Sequence, residues 1–398
     1  MEAIELIELI GRGEDSRTQF KQNITNAESL AGDLVAFSNS KGGRILVGVN
    51  DDGGIVGLSV NDIRRINQLV SNTATDLVRP SVNPETENVS TVGGQLVMVV
   101  TVPEGISKPY SDNNGVFWVK SGADKRRVTS REEVQRLLQS ADLVHADEVP
   151  VEGTTTGDVD LEHFREFFQK QYGEPLDEAL DRDGISLAQL LNNLRLARET
   201  RLNLAGLMVF GRHPQRHRPV FVVKAVSFVG DDPAGDKYRD SQDIEGCLRD
   251  LHKGMISFLA RNLRRVQGDK GVNTEGDLEV PLAALEELVV NMLLHRDYFI
   301  SAPWRVMMFE NRIELISPGS LPNNLTVENI RNGVSVIRNP LIASFATKEL
   351  PYRGIGTGIR RALAAVPTLE LESDQDRNLF TARIPRREPA AEARKVMT

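Results

Sequence analysis

Residues Leu282–Tyr298, LAALEELVVNMLLHRDY, place Leu285, Leu288, Val289, Met292 and Leu293 on one face at about 100° per residue. Val290 and Leu294 make much of the opposite side apolar too, so the pattern predicts a helix buried nearly all round. The exception is a stripe of Glu287, Asn291, His295 and Tyr298, spaced four, four and three along one edge. A carboxylate and an amide are costly to bury unless a partner or ligand compensates, so this stripe marks a candidate site. Arg296 projects toward the apolar centre, which predicts that the helix stops before it or that an acid such as Asp297 pairs with it. Beyond the helix, strands are predicted at Arg305–Phe309 and Arg312–Ser317, helices at Thr326–Arg331 and Leu341–Thr347, and a last strand at Leu379–Ile384. Between them Gly354-Ile-Gly-Thr-Gly358 leads into a helix at Arg360–Ala365, a placement whose backbone amides suit an anion such as phosphate.

The first 148 residues alternate helix and strand signals. Met1–Ile10 has helical periodicity, and Asn26 or Thr25 can cap a helix at Ala27–Asn39 that stops at Lys41-Gly42-Gly43. Two short strands joined at Asp51–Gly54 read as a hairpin. Strands at Gln95–Pro103 and Val116–Lys120 and a helix at Ser130–Ser140 follow. The polar, aperiodic stretch Val149–Gly157 reads as a linker. After it come helices at Leu161–Gln171 and Ser186–Leu194, strand-like runs at Leu204–Phe210 and Val220–Val229, and a long helix at Asp243–Arg264. His213, His217 and His252 there form no catalytic spacing. The expected organisation is 1–148, a connecting region 149–280, a domain at 281–388 and a polar tail 389–398.

Composition narrows the class. With 40% hydrophobic and 26% charged residues the 398-residue chain reads as a soluble globular protein of more than one domain. No run reaches the roughly 18 apolar residues of a membrane span, and the acidic first residues are unlike a signal peptide, which predicts a cytoplasmic protein away from membranes. A single cysteine, Cys247, rules out an internal disulfide framework and a cysteine-based zinc site. The net charge of -8, and 15 Lys and Arg against 21 Asp and Glu in residues 1–148, mean that nucleic acid could be met only by a local basic face. Lys21, Lys41, Arg44, Lys120, Lys125, Arg126 and Arg127 are the candidate phosphate contacts, and Trp118 is either a stacking ring or a core residue.

Glu14, Gln19-Phe20-Lys21, Phe37–Gly43, Gly48–Asp51 with Gly53, and Trp118–Gly122 together resemble the AlbA-like nucleic-acid-binding domain of prokaryotic regulators and Schlafen proteins. The resemblance implies DNA or RNA as partner. In the nuclease members a carboxylate triad is built from the positions that correspond to Glu14, Gln19 and Asp51, where three acids would hold a divalent metal and activate water. Here the middle position is the neutral amide Gln19, which weighs against a metal-dependent, phage-defence type of nuclease and for binding.

Glu287-x-x-x-Asn291, His295-Arg-Asp-Tyr298, Ser317-Pro-Gly319, Arg338-Asn339-Pro340 and Gly354-x-Gly-x-Gly358 resemble, in order and spacing, the ATP-binding domain of the GHKL superfamily in its RecG C-terminal-like branch. That likeness implies an α/β sandwich binding ATP with Mg²⁺, Asn291 holding the metal, Glu287 orienting or deprotonating water, and Gly354, Gly356 and Gly358 cradling phosphates. His295, Asp297, Pro318, Gly319, Arg338 and Asn339 complete the implied nucleotide site. Where most members carry an adenine-binding acid, this chain has Ser317–Leu321, without a carboxylate. No Gly-x-x-x-x-Gly-Lys-Ser/Thr loop occurs, so a helicase motor is not predicted. The whole is expected to be an α+β protein: an AlbA-like domain, a mixed middle region and a GHKL-like domain. Its first functional reading is an ATP-binding, nucleic-acid-binding regulator of transcription type, forming homo-oligomers, with ATP either slowly hydrolysed or only bound. The alternatives are the nuclease and a non-catalytic scaffold.

Overall fold

The computed structural model describes residues 1–140, 143–234, 237–266, 276–322 and 325–386, and the expected tail at 389–398 lies outside them. The chain is α+β and divides into two compact units, Met1–Val144 and His145–Thr398. Among the described residues no helix is long and apolar enough to cross a membrane.

The first unit runs α1 (Ala3–Gly11), β1 (Thr18–Lys21), α2 (Ala27–Asn39), β2 (Gly43–Val47), α3 (Val60–Asp76), β3 (Val78–Arg79), β4 (Glu85–Ser90), β5 (Leu96–Val102), β6 (Ser111–Asp112), β7 (Trp118–Ser121), β8 (Asp124–Arg127) and α4 (Arg131–Ser140). Its sheet has the order β1-β2-β5-β4, with β1 parallel to β2 and the other pairs antiparallel. Alternation divides the strands between two cores. Ile45, Val47, Met98 and Val100 pack with Leu34 of α2 and Val70 of α3, while Leu46, Val97, Val99 and Phe20 pack with Leu6 of α1. Asn26 caps α2 by accepting from the Ser29 amide at 3.0 Å. The expected hairpin at Asp51–Gly54 keeps its turn but pairs only through Val49 and Ile55. α3, left unassigned in the sequence pattern, is capped by Ser59 and buries Ile66, Val70, Thr73 and Ala74.

The second unit runs α5 (Leu161–Tyr172), α6 (Leu176–Asp183), α7 (Leu187–Asn193), β9 (Ala197–Arg198), β10 (Arg201–Leu202), α8 (Leu204–Phe210), α9 (Pro214–His217), β11 (Val223–Phe228), β12 (Tyr238–Ile244) and α10 (Leu248–Asn262). It continues with β13 (Arg265–Val266), β14 (Asp277–Leu278), α11 (Leu282–Leu294), β15 (Trp304–Met308), β16 (Arg312–Pro318), α12 (Val327–Arg331), α13 (Pro340–Glu349), α14 (Gly358–Ala365), β17 (Glu370–Asp374) and β18 (Leu379–Pro385). One six-stranded sheet has the order β12-β11-β15-β16-β18-β17, in which β11 and β15 are the parallel pair. The stretch expected as a connecting region therefore supplies two strands to the sheet that carries the candidate site.

Three sequence readings change here. Leu204–Phe210 is helical rather than a strand: all seven residues are buried, so no polar face betrays its period, and Asn203 caps it by accepting from the Gly206 amide at 2.8 Å. The long helix expected from Asp243 starts at Leu248, because Tyr238–Ile244 pairs with β11. The expected linker Val149–Gly157 is tied down by its backbone, Val151 donating to the Leu202 carbonyl at 2.8 Å and Thr156 to that of Thr200 at 3.0 Å.

Candidate functional site

α11 is the apolar helix of the sequence pattern, with Leu285, Leu288, Val289, Met292 and Leu293 buried. It packs between the sheet and α14, so its polar edge faces the glycine segment before α14. A cleft with an empty volume of ≈ 1020 Å³, counting the solvent at its mouth, opens there. Glu287 and Asn291 line it from α11 and His295 from its C-cap, Gly319 from just past β16, and Gly354, Gly356 and Gly358 from the segment leading into α14 and its first residue. Leu288, Met292, Leu315, Ile330, Phe380 and Ala382 make the rest largely apolar. Such a cleft suits a ligand with one flat apolar end and one anionic end.

The glycines have physical reasons to be glycine. Gly354 and Gly356 have φ of +70° and +69°, left-handed conformations that disfavour side chains. At position 358 a Cβ would lie 2.5 Å from Glu287 Oε2 and 3.1 Å from Asn291 Nδ2. The first turn of α14 thus rests directly on the polar stripe of α11. Asn291 Nδ2 donates to the Glu287 carbonyl at 2.6 Å, and the Glu287 carboxylate pairs with Arg361 of α14. Burial, reinforced by Arg338, pushes the His295 imidazole down to about 4, against a hydrogen bond with the Val336 backbone, so it is neutral at physiological pH.

Other expected site residues brace the cleft from behind. Asn339 is buried and its Nδ2 donates to the carbonyls of Leu294 and Arg296, at 2.8 and 2.9 Å, satisfying the end of α11. Arg338 donates to the Ser320 carbonyl at 2.8 Å and, more weakly, to that of His295 at 3.4 Å. Asp297 accepts from the Phe299 amide at 3.0 Å, and its own amide donates to the Pro318 carbonyl at 2.8 Å. Pro318 is buried at the end of β16. Tyr298 leaves the expected stripe altogether, because α11 ends at Leu294 and the helical spacing stops with it. Its hydroxyl donates to the Leu293 carbonyl at 3.1 Å in the core. Arg296 is fully buried there against Phe221 and Trp304, 4.5 and 4.3 Å from the ring centres, and donates to the carbonyls of Ile300 and Ala302. Arg361 belongs to no motif, so nothing in the sequence marks it. Only the register of α14 against α11 brings it to Glu287.

In the first unit the expected basic residues divide by what they touch. Asp33 of α2, only 1% exposed, pairs with Lys125 at 2.9 Å and Lys21 at 3.5 Å. Lys120 lies 4.8 Å from the Phe37 ring centre, and burial lowers its ammonium pKa against the pull of Asp33. Arg126 pairs with Glu133. Lys41, Arg44 and Arg127 are exposed, and among the described residues none of the three makes an ion pair. Trp118 is no open stacking platform: its Nε1 donates to Asp112 at 2.8 Å, with Lys125 and Arg127 over its ring at 5.4 and 5.1 Å. Of the expected triad positions, Glu14 accepts from the Phe20 amide at 2.6 Å, Gln19 points a buried Oε1 that has no hydrogen-bond partner, and Asp51 is exposed in its turn. Among the described residues no three His, Cys, Asp or Glu side chains converge to hold a metal ion.

Residues 14–129 match the family described as "Schlafen, AlbA_2". Residues 302–381 match the family described as "Putative ATP-dependent DNA helicase recG C-terminal". This pairing is the architecture that the motifs at the two ends of the chain led us to expect. None of the curated proteins matches the chain. Among solved structures, the DIP2311 protein from Corynebacterium diphtheriae aligns at a TM-score of 0.44 and 18% identity, covering 97% of this chain and 69% of its own.

Proposed function

We propose that this chain, which joins a Schlafen AlbA_2 domain to a RecG C-terminal-type domain, is an ATP-binding, nucleic-acid-binding regulator. The second unit binds ATP with Mg²⁺, the first contacts the phosphates of DNA or RNA, and nucleotide state shifts the assembly of a cytoplasmic homo-oligomer acting in transcription control. One observation carries the nucleotide reading: a single cleft gathers Glu287, Asn291 and the three glycines at its polar end and an apolar wall at the other.

The residues present fit such a ligand. The left-handed Gly354 and Gly356 and the bare Cα of Gly358 let phosphate oxygens approach backbone amides. The amide oxygen of Asn291 suits an ion that takes its other ligands from phosphates and water. Mg²⁺, when bound, would offset the negative charge of the phosphates. Glu287 would orient a water at the phosphate end, and the apolar wall would exclude other solvent. Glu287 is the only carboxylate among the described residues lining the cleft, so the base is held by shape and by groups such as Ser317. The test is calorimetric titration of the full chain with ATP and Mg²⁺. Asn291→Ala is expected to weaken binding about tenfold, the worth of one charge-assisted contact. Equal affinity in both proteins, or no binding in either, refutes the reading.

A further inference from the structure

The Glu287–Arg361 pair lies at the polar end of the cleft, and neither the glycine pattern nor the motif on α11 includes its cationic member. The two side chains are unequal: Glu287 is 15% exposed and Arg361 41%, so the carboxylate is part of the wall and the guanidinium reaches in from outside. Ala362, next along α14, is fully buried and anchors the helix, while the Arg361 side chain is open enough to change partner. Two features draw an anion to the place where Glu287 now sits. One is the guanidinium. The other is the start of α14, whose N-cap Thr357 makes no side-chain capping bond and whose Gly358 lies so close to Glu287 that a Cβ would collide with it.

We propose that Arg361 is a triphosphate-selective ligand of the cleft, exchanging Glu287 for the terminal phosphate of the bound nucleotide. This rests on the nucleotide reading above. A phosphate carries more charge than a carboxylate and offers oxygens in the spacing that a guanidinium matches with two parallel bonds. The exchange also leaves Glu287 without its cation, beside the phosphate end, as a carboxylate able to accept a proton from water. Arg361 thereby couples recognition of the third phosphate to the release of the Glu287 carboxylate. A nucleoside diphosphate, lacking that phosphate, leaves the pair intact.

The experiment is calorimetry on the full chain with Mg²⁺, titrating ATP and ADP separately into the unaltered protein, Arg361→Ala, Glu287→Gln and the double variant. The unaltered chain is expected to prefer ATP over ADP. Arg361→Ala should lose about tenfold in ATP affinity, as one charge-assisted contact is worth, while ADP affinity changes by less than about twofold. Glu287→Gln frees the guanidinium from its competitor and should hold ATP at least as tightly. The double variant leaves no unpaired charge behind, so it reports even where Arg361→Ala folds poorly, and it should bind ADP normally with no preference for ATP. Equal losses for ATP and ADP in the Arg361 variants, or weaker ATP binding by Glu287→Gln, overturn the assignment. An unaltered chain that binds neither nucleotide overturns the nucleotide reading itself, a result separable from ATP binding that is indifferent to Arg361.

Discussion

Lys125→Ala separates a structural lysine from a phosphate contact. Asp33 is buried in α2 with Lys125 at 2.9 Å and Lys21 at 3.5 Å, and Lys125 also donates to the Ser29 carbonyl at 2.5 Å. Gly32 permits this approach, since a Cβ there would lie 3.1 Å from Lys125 Nζ. Breaking one side of a buried ion pair costs about 3–5 kcal/mol. Lys21 still compensates part of the charge, and Lys125 is 20% exposed, so the expected loss is about 2 kcal/mol. That is roughly a thirtyfold rise in the population of the opened state. The assay is amide hydrogen exchange of the full chain, read over Ala27–Asn39, where opening free energy sets the rate. Asp33→Asn in the Lys125→Ala background removes the uncompensated charge and should restore most of the protection, and the cycle yields the coupling. Unchanged exchange in Lys125→Ala, together with weakened DNA binding, would refute the reasoning and make Lys125 a phosphate contact.

Gly358→Ala should weaken ATP binding, because its Cβ would lie 2.5 Å from Glu287 Oε2 and push the Glu287 and Asn291 side chains out of place; calorimetry with unchanged affinity would show that those side chains shift without cost to the site. For nucleic acid, the exposed Lys41, Arg44 and Arg127 are the expected contacts, so the triple alanine variant should lose affinity and flatten the salt dependence by about one unit of slope per residue in gel-shift titrations. Unaltered affinity and slope would exclude that face. Asp147, fully buried, accepts from the Ile342 amide at 2.8 Å, and burial pushes its carboxyl up to about 6. Because its folded value lies above the unfolded one, near 3.8, the native state binds the extra proton between those values, and this group's contribution to stability falls as pH rises through about 4 to 6. Asp147→Asn removes that dependence and should gain on the order of 2 kcal/mol relative to the unaltered chain between pH 4 and 7. Urea unfolding at the two pH values checks it. His295, with its opposite slope, is common to both proteins and cancels from the difference, and a variant with parallel pH behaviour would deny the buried titration.

Much of the cleft was legible because its requirements are local. A helix apolar on nearly every side cannot hide Glu287 and Asn291 without a use for them, and glycines with positive φ stay glycines. The sequence could not reveal what depends on a partner element. Arg361 meets Glu287 only through the packing of α14 on α11, and Lys125 meets Asp33 only because β8 lies over α2. Tyr298 falls on the stripe only while 3.6-residue spacing continues, and that spacing ends where Asn339 satisfies the end of α11. α8 read as a strand because a short segment buried on all sides has no period to display. α3 does carry local signals, the Ser59 cap with Asp62 and the spacing of Ile66, Val70 and Thr73 on its buried face.

The pairing of β11 with β15 bears on how the nucleotide-binding part can be studied in isolation. β15 has β16 on one side and β11, contributed from far upstream, on the other. A recombinant fragment begun at residue 281 would leave Trp304–Met308 as a bare edge, its amides and carbonyls unpaired and ready to recruit another chain. It would also uncover the side of α11 that α10 shields. Such a fragment would precipitate or self-associate, and its failure to bind nucleotide would say nothing about the cleft. The compact unit that holds the whole sheet and the cleft starts at His145, and a negative result from that piece is informative.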